Sequence, residues 1–197
     1  MHTHQNLVQV VDGKKTNLFY DTRKDDLSEI ALHFIGGLLD HARAVTALTN
    51  PICNSYKRLI PGWEAPVTIA WGRKNRTALI RVPFDSPASA RIEYRSPDPS
   101  ANPYLAFTAM LAAGLDGIAK GTDPGKATET DLYKPGPGRK FLPGSLNGAL
   151  DELEKDRVIR DAIGEHIVSS FLSIKRKEVE LYNSRPSNID IQMYLGV

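Results

Sequence analysis

One cysteine, three methionines and two tryptophans among 197 residues set the first bounds. A single thiol, Cys53, excludes an internal disulfide and suits a reducing compartment, so a cytoplasmic protein with a core thiol is expected. Charge of one sign is lacking too, since 25 Lys and Arg against 23 Asp and Glu leave a net +2. That balance, with no basic run interleaved with aromatics and no zinc-ligand spacing, excludes a nucleic-acid module. The start carries no charged segment leading into an apolar one, the mark of a secretory signal. No long hydrophobic run occurs either. The most apolar stretch, 104–119, is interrupted by Asp116 and is too short for a bilayer, so it reads as a buried helix and no membrane partner is expected. The glycine-rich loop of Walker-type phosphate sites is missing as well. What remains is 41% hydrophobic, enough for one domain with a sizeable core.

What the chain does have is a concentration of arginine. Between Asn54 and Arg95 lie Arg58, Arg73, Arg76, Arg81, Arg91 and Arg95, with two lysines and three carboxylates. In RIEYR, Arg91, Glu93 and Arg95 alternate with Ile92 and Tyr94, so on a strand one face is charged and the other apolar. Residues 77–82 read as a second strand, with Ala78, Ile80 and Val82 on one side and Leu79 and Arg81 on the other; parity puts Arg76 in the loop before it. Guanidinium forks bind carboxylate and phosphate bidentately and stay charged at any working pH, so their clustering fits an anion clamp. Cross-strand ion pairing on a solvated face would produce the same spacing.

Along the rest of the chain, residues 1–11 read as a strand with His2 and His4 on one face, and two imidazoles so placed can reach a shared cavity. Residues 12–26 read as a hairpin and surface loop. Ser28 is placed as an N-cap of one amphipathic helix ending near Thr49, with Ala31, Phe34, Ile35, Leu38, Leu39, Ala42 and Val45 on its apolar stripe and His33 and His41 off it. Asn102 and Pro103 open a helix to about Ala119, whose small residues Ala106, Ala109, Ala113 and Gly117 permit close packing. Residues 121–144 are rich in Pro and Gly and read as a long loop. Ser145 caps a helix to about Lys155. A further helix is expected over 158–183 with Ile159, Ile163, Ile167, Phe171, Ile174 and Val179 inward, and the tail after Pro186 is expected to dock as a strand or lie across a neighbour.

The blocks NSYKRLIPGWEAP, the NR of RKNR, IRVP, RIEYR and DPSANPYLA, in this order and with these gaps, resemble type I glutamine synthetases. The resemblance extends to MHTH, TNP, AAGLDGI and RPSNIDIQMYLGV. It covers nearly the whole chain but only about the second half of the family's. Residues 1–197 are therefore expected to be the C-terminal portion of the catalytic domain, without the N-terminal domain and the first half of the catalytic domain. The fold it implies is α+β, an antiparallel sheet carrying the charged face and backed by helices. The activity it implies is ATP-dependent ligation of ammonia to glutamate through γ-glutamyl phosphate, with Mg²⁺ or Mn²⁺ as cofactor and a dodecamer of two hexameric rings as the family's assembly.

Carried over residue by residue, the resemblance makes Glu64 the general base on a flap and Arg76 the stabiliser of the transferring phosphoryl group. Arg58 and Arg95 would hold glutamate; His4, Arg81 and Arg91 would face ATP; His2 and Glu93 would be metal ligands. Tyr133 falls near the tyrosine that some bacterial relatives adenylylate. Asn6, Trp63 and Ala88 depart from residues common in the family, which leaves the adenosine contacts and the accepted amine open. A relative that joins glutamate to a polyamine or another amine, and a truncated non-catalytic relative, are the alternative readings. With most metal carboxylates belonging to the missing half, the isolated chain is expected to be inactive, and its exposed edges to make it self-associate.

Overall fold

The structure, a computed structural model, describes residues 1–24, 26–63, 65–83, 86, 89–134 and 136–196. Four strands form its main sheet: β1 (Thr3–Gln5), β6 (Trp71–Arg73), β7 (Ile80–Val82) and β8 (Ile92–Tyr94), in the order β1-β8-β7-β6. The β1–β8 and β7–β8 pairs are antiparallel as expected, but β6 runs parallel to β7, so the sheet is mixed. The expected strand over 77–82 shrinks to β7 because Asn75 Oδ1 accepts from the backbone and hydroxyl of Thr77 and holds that stretch in a turn. Arg76 sits in that turn, exposed.

The expected strand over 1–11 divides into β1 and β2 (Val8–Val11). The latter pairs with β3 (Lys14–Asn17) in a hairpin whose turn places Asp12 and Gly13 at φ 49° and 76°. A short pair, β4 (Tyr20–Asp21) and β5 (Asp26–Leu27), follows. Phe19 between these ribbons is fully buried, with its ring 5.2 Å from that of Phe34, and ties them to the helical layer.

Ser28 caps α1 (Glu29–Asp40) by accepting from Ala31 N. The single helix expected to Thr49 is two: the backbone turns at His41 and restarts as α2 (Ala42–Thr49). Both His41 ring nitrogens are bound to carboxylates of other elements, which holds the corner. Asn102 and Pro103 open α3 (Pro103–Lys120) as read, and Gly121 ends it at φ 64°. α1 and α3 pack so closely that a Cβ on Gly37 would lie 2.0 Å from the Ala113 carbonyl oxygen. α4 (Leu146–Lys155) starts at Ser145 as expected, and α5 (Arg157–Ile163) and α6 (Glu165–Asn183) replace the single expected helix. Gly164, at φ 92°, breaks it.

Ile159 and Ile163 face the core and Phe171 and Val179 pack partly against it, but Ile167 and Ile174 are exposed, because the face of α6 turned to the core runs through Val168, Leu172 and Val179. The tail is not a strand, one of the two arrangements expected of it. It forms α7 (Asn188–Tyr194), started by a reciprocal capping box between Ser187 and Asp190. The α3 helix is only partly buried, since Tyr104, Phe107, Leu111 and Leu115 project from one exposed flank. The long loop 121–144 covers the outer edge of β6: Thr128 N donates to Trp71 O, Trp71 Nε1 to Gly125 O, and Asn75 Nδ2 to the carbonyls of Thr128 and Thr130. Cys53, read as a core thiol, is half-buried. Among the described residues no helix is long and apolar enough to cross a membrane.

Candidate active site

Strand register assembles the charged face. His4 lies opposite Glu93 on β8, and Glu93 lies opposite Arg81 on β7, so these three side chains share one row and one side of the sheet. Arg91 and Arg95 flank Glu93 at two-residue spacing and His2 precedes His4 by two, which puts all six on that face. The opposite face carries Ile80, Val82, Ile92 and Tyr94, all buried, so the sheet cannot flip.

Glu93 is the hub. Its Oε1 is 2.7 Å from His2 Nδ1, and its Oε2 is 2.9 Å from Arg81 Nη1 and 4.0 Å from Arg95 Nη1. Burial opposes its ionisation, but the Arg81 hydrogen bond and the charges of Arg95 and His2 outweigh that and hold the carboxyl below its ordinary range. His2 is lowered as well, which for an imidazole favours the neutral form: burial and Arg95 lower it, only partly offset by Glu93. A neutral His2 that donates from Nδ1 keeps the Nε2 lone pair free for a ligand.

A cavity of about 630 Å³ opens over this hub, lined by Met1, His2, Arg58, Trp63, Ala65 and Arg95. Arg58 stands just after a 3₁₀ turn, Cys53–Lys57, that follows α2, and its Nη2 donates to Asn50 Oδ1 and to the Ser96 carbonyl. The Nε atoms of Arg58, Arg81 and Arg95 are buried and have no hydrogen-bond partner among the described residues. Two of these guanidiniums, those of Arg58 and Arg95, line the cavity, and two cations on one cavity wall are the complement of an anion. Further along the face, Arg91 donates from Nε to His4 Nδ1 at 3.2 Å and from Nη1 to Ser89 O at 2.9 Å. Arg76 is close enough for its charge to act on Arg95. Glu64, the expected general base, and Ala88 lie outside the described residues, although Trp63 and Ala65 on either side of Glu64 both line the cavity.

The chain is matched over residues 1–194 by a family model, that of the glutamine synthetase catalytic domain. The chain belongs to that glutamine synthetase family. It is 55% identical over 188 residues to a glutamine synthetase of Pyrococcus abyssi, covering 92% of this chain and 41% of that protein. It is 48% identical over 202 residues to one of Halobacterium salinarum, covering 99% and 44%. Among solved structures it superposes on a GmaS/ADP complex with a TM-score of 0.87 at 38% identity, covering 100% of this chain and 46% of that one, and on apo GmaS without ligand with a TM-score of 0.85. The chain spans less than half the length of these glutamine synthetase relatives.

Of the residues picked from sequence, the structure therefore brings His2, Arg58 and Arg95 onto one cavity with Glu93 and Arg81 bonded beneath, and sets the His4–Arg91 pair beside them. Sequence reading missed Asn50. It sits in the TNP block just after α2, and its only sequence signal was an amide at a helix end. For a divalent cation the fit is partial: one carboxylate and one imidazole are adjacent, and among the described residues no group of three or more His, Cys, Asp or Glu side chains converges.

Proposed function

We propose that the chain is the C-terminal part of a glutamate–ammonia ligase and carries the anion-binding wall of its active site. The observation that supports this most is the cavity walled by Arg58, Arg95 and His2, with Arg81 bonded to Glu93 on the same sheet face. Ligation of ammonia to glutamate moves negative charge twice. The side-chain carboxylate oxygen of glutamate attacks the γ-phosphorus of ATP and ADP leaves; then the nitrogen lone pair of ammonia attacks the acyl carbon and phosphate leaves. Fixed cations stabilise both steps because they need no reorganisation as the charge shifts.

In this reading Arg58 and Arg95 hold the glutamate carboxylates, Arg76 meets the transferring phosphoryl group, and His4, Arg81 and Arg91 face the nucleotide. The ADP held by the similar GmaS complex is consistent with that nucleotide side. Glu64 takes the proton that the attacking nitrogen must lose. His2 Nε2 and Glu93 would hold Mg²⁺ or Mn²⁺, which supplies charge neutralisation at the phosphates when bound. The rest of the coordination shell comes from the length that the relatives have and this chain does not span, so the chain alone is inactive; the homo-oligomer that the family resemblance implies is carried over as part of this reading.

The test is complementation. Joined to the missing length from the Pyrococcus abyssi relative, the chain should hydrolyse ATP only when glutamate and ammonia are both present, whereas by itself it should not. Activity of the chain alone would overturn the incomplete-site reading, and no activity from the joined protein would overturn the ligase reading. Product analysis with a panel of amines separates ammonia from an alkylamine or polyamine as the acceptor.

A further inference from the structure

The hydrogen bonds that hold Arg58 among the described residues go to neutral groups, while the Asp98 carboxylate acts on it only through space. Its Nη2 donates to Oδ1 of Asn50 at 2.9 Å and to the carbonyl of Ser96, and it makes no ion pair among the described residues. Arg81 and Arg95 on the same face differ, for both have the Glu93 carboxylate within reach. Asn50 itself is fully buried, so its amide must be satisfied from within the protein.

The amide's orientation is dictated from the far side. Thr49 Oγ1 donates to Val45 O at 3.0 Å, which leaves that hydroxyl a lone pair to accept from Asn50 Nδ2, also at 3.0 Å. The amide nitrogen is thereby committed to Thr49 and the amide oxygen to Arg58. One directed run of hydrogen bonds joins the end of α2 to a guanidinium in the cavity wall.

We propose that Asn50 is the positioning residue of Arg58: it locks the guanidinium with an uncharged dipole, so that no carboxylate is bonded to it and its charge is left for an anionic ligand. A carboxylate in its place would grip as firmly and cancel the charge it holds. A small apolar residue would leave the charge intact and let the fork rotate, and a fork out of plane loses its bidentate geometry. The lock itself is independent of the ligase reading; its consequence for ligand binding rests on that reading.

Two measurements on the chain as it stands separate the lock from the site. In the first, NMR of arginine side chains, assigned with Arg58→Lys, should show slowed rotation of the Arg58 terminal nitrogens in the wild type and averaged signals in Asn50→Ala. Averaged signals in the wild type, or no change on substitution, would overturn the proposal. In the second, L-glutamate and inorganic phosphate are titrated against the emission of Trp63, with Trp63→Phe to subtract the buried Trp71. Asn50→Asp should keep the slow rotation yet weaken the anions about tenfold or more, an effect that a merely structural asparagine would not produce. Unchanged affinity in a folded Asn50→Asp protein would overturn the charge argument. Should that variant fail to fold, Thr49→Val frees the amide without touching Arg58 and should speed the rotation; no change there counts against the lock. Absence of anion binding in the wild type would defeat the anion-site reading, while the NMR result still decides the role of Asn50.

Discussion

Arg81 Nη1 lies 2.9 Å from Oε2 of Glu93, across two neighbouring strands, with the carboxylate side chain only 4% exposed. Glu93→Gln preserves the shape of the side chain and removes its charge, which leaves Arg81 and Arg95 on one buried face without their counter-ion. Stability should fall by about 3 kcal/mol, the scale for a buried charge deprived of its partner. Urea unfolding of the two proteins checks this, and a loss under about 1 kcal/mol would mean that water already screens the pair.

His41 sets the pH response. Its Nδ1 is 2.6 Å from Asp156 Oδ2 and its Nε2 is 3.0 Å from Asp116 Oδ2, so both nitrogens bear protons when both bonds are made. The hydrogen bond to Asp156 raises its pKa most; burial opposes this, and the Asp116 bond and both carboxylate charges add to the rise. A group raised in the folded state gives its full stabilisation below its unfolded value, 6.5, and loses it as pH climbs through the raised folded value. Thermal stability of the wild type should therefore fall as pH rises above neutrality. In His41→Gln that fall should flatten, with an overall loss at pH 6 of roughly 1–3 kcal/mol.

The α1–α3 contact leaves no room for a methyl group at Gly37. A Cβ there would sit 2.0 Å from Ala113 O and 2.7 Å from Gly117 N, all backbone that no side-chain rotation relieves. Gly37→Ala gains helix propensity but must push the helices apart, and should cost about 1–3 kcal/mol net. Gly13→Ala, in open space at the hairpin turn, serves as the comparison and should cost only the strain of its φ of 76°. Equal losses at the two sites would rule out close packing as the cause.

Tyr104, Phe107, Leu111 and Leu115 form an exposed stripe at helical spacing on α3. This stripe is apolar surface that a monomer does not usually show, and β1 at the end of the sheet adds a strand edge. Sedimentation of the isolated chain should show association that rises with concentration, and Phe107→Lys with Leu111→Glu should shift it towards monomer. A wild type that stays monomeric across the accessible concentration range would contradict this.

Much of the architecture could be read along the chain because it rests on local chemistry. Ser28, Asn102 and Ser145 announce helix starts by offering an oxygen to the first free N–H groups. The alternation in RIEYR separates a charged face from an apolar one, whatever that strand later pairs with. Gly164 was legible as a residue but not as a break, since only the surrounding packing selects its φ of 92°. Ile167 and Ile174 were placed inward on periodicity, and that pattern does not say whether another element arrives to cover them.

By itself, then, the sequence determined which side chains could share a face, where helices begin, and, through its ordered blocks, the family. Tertiary structure decided the rest, because it depends on partners far apart in the chain. Register set Glu93 between His4 and Arg81; the corner at His41 exists because Asp116 and Asp156 come from other helices to hold it; and the neutral grip of Asn50 on Arg58 appears only when α2 ends beside the turn that carries the arginine. A pattern along a chain can specify what each residue offers, but burial and hydrogen-bond geometry settle which offers are taken up.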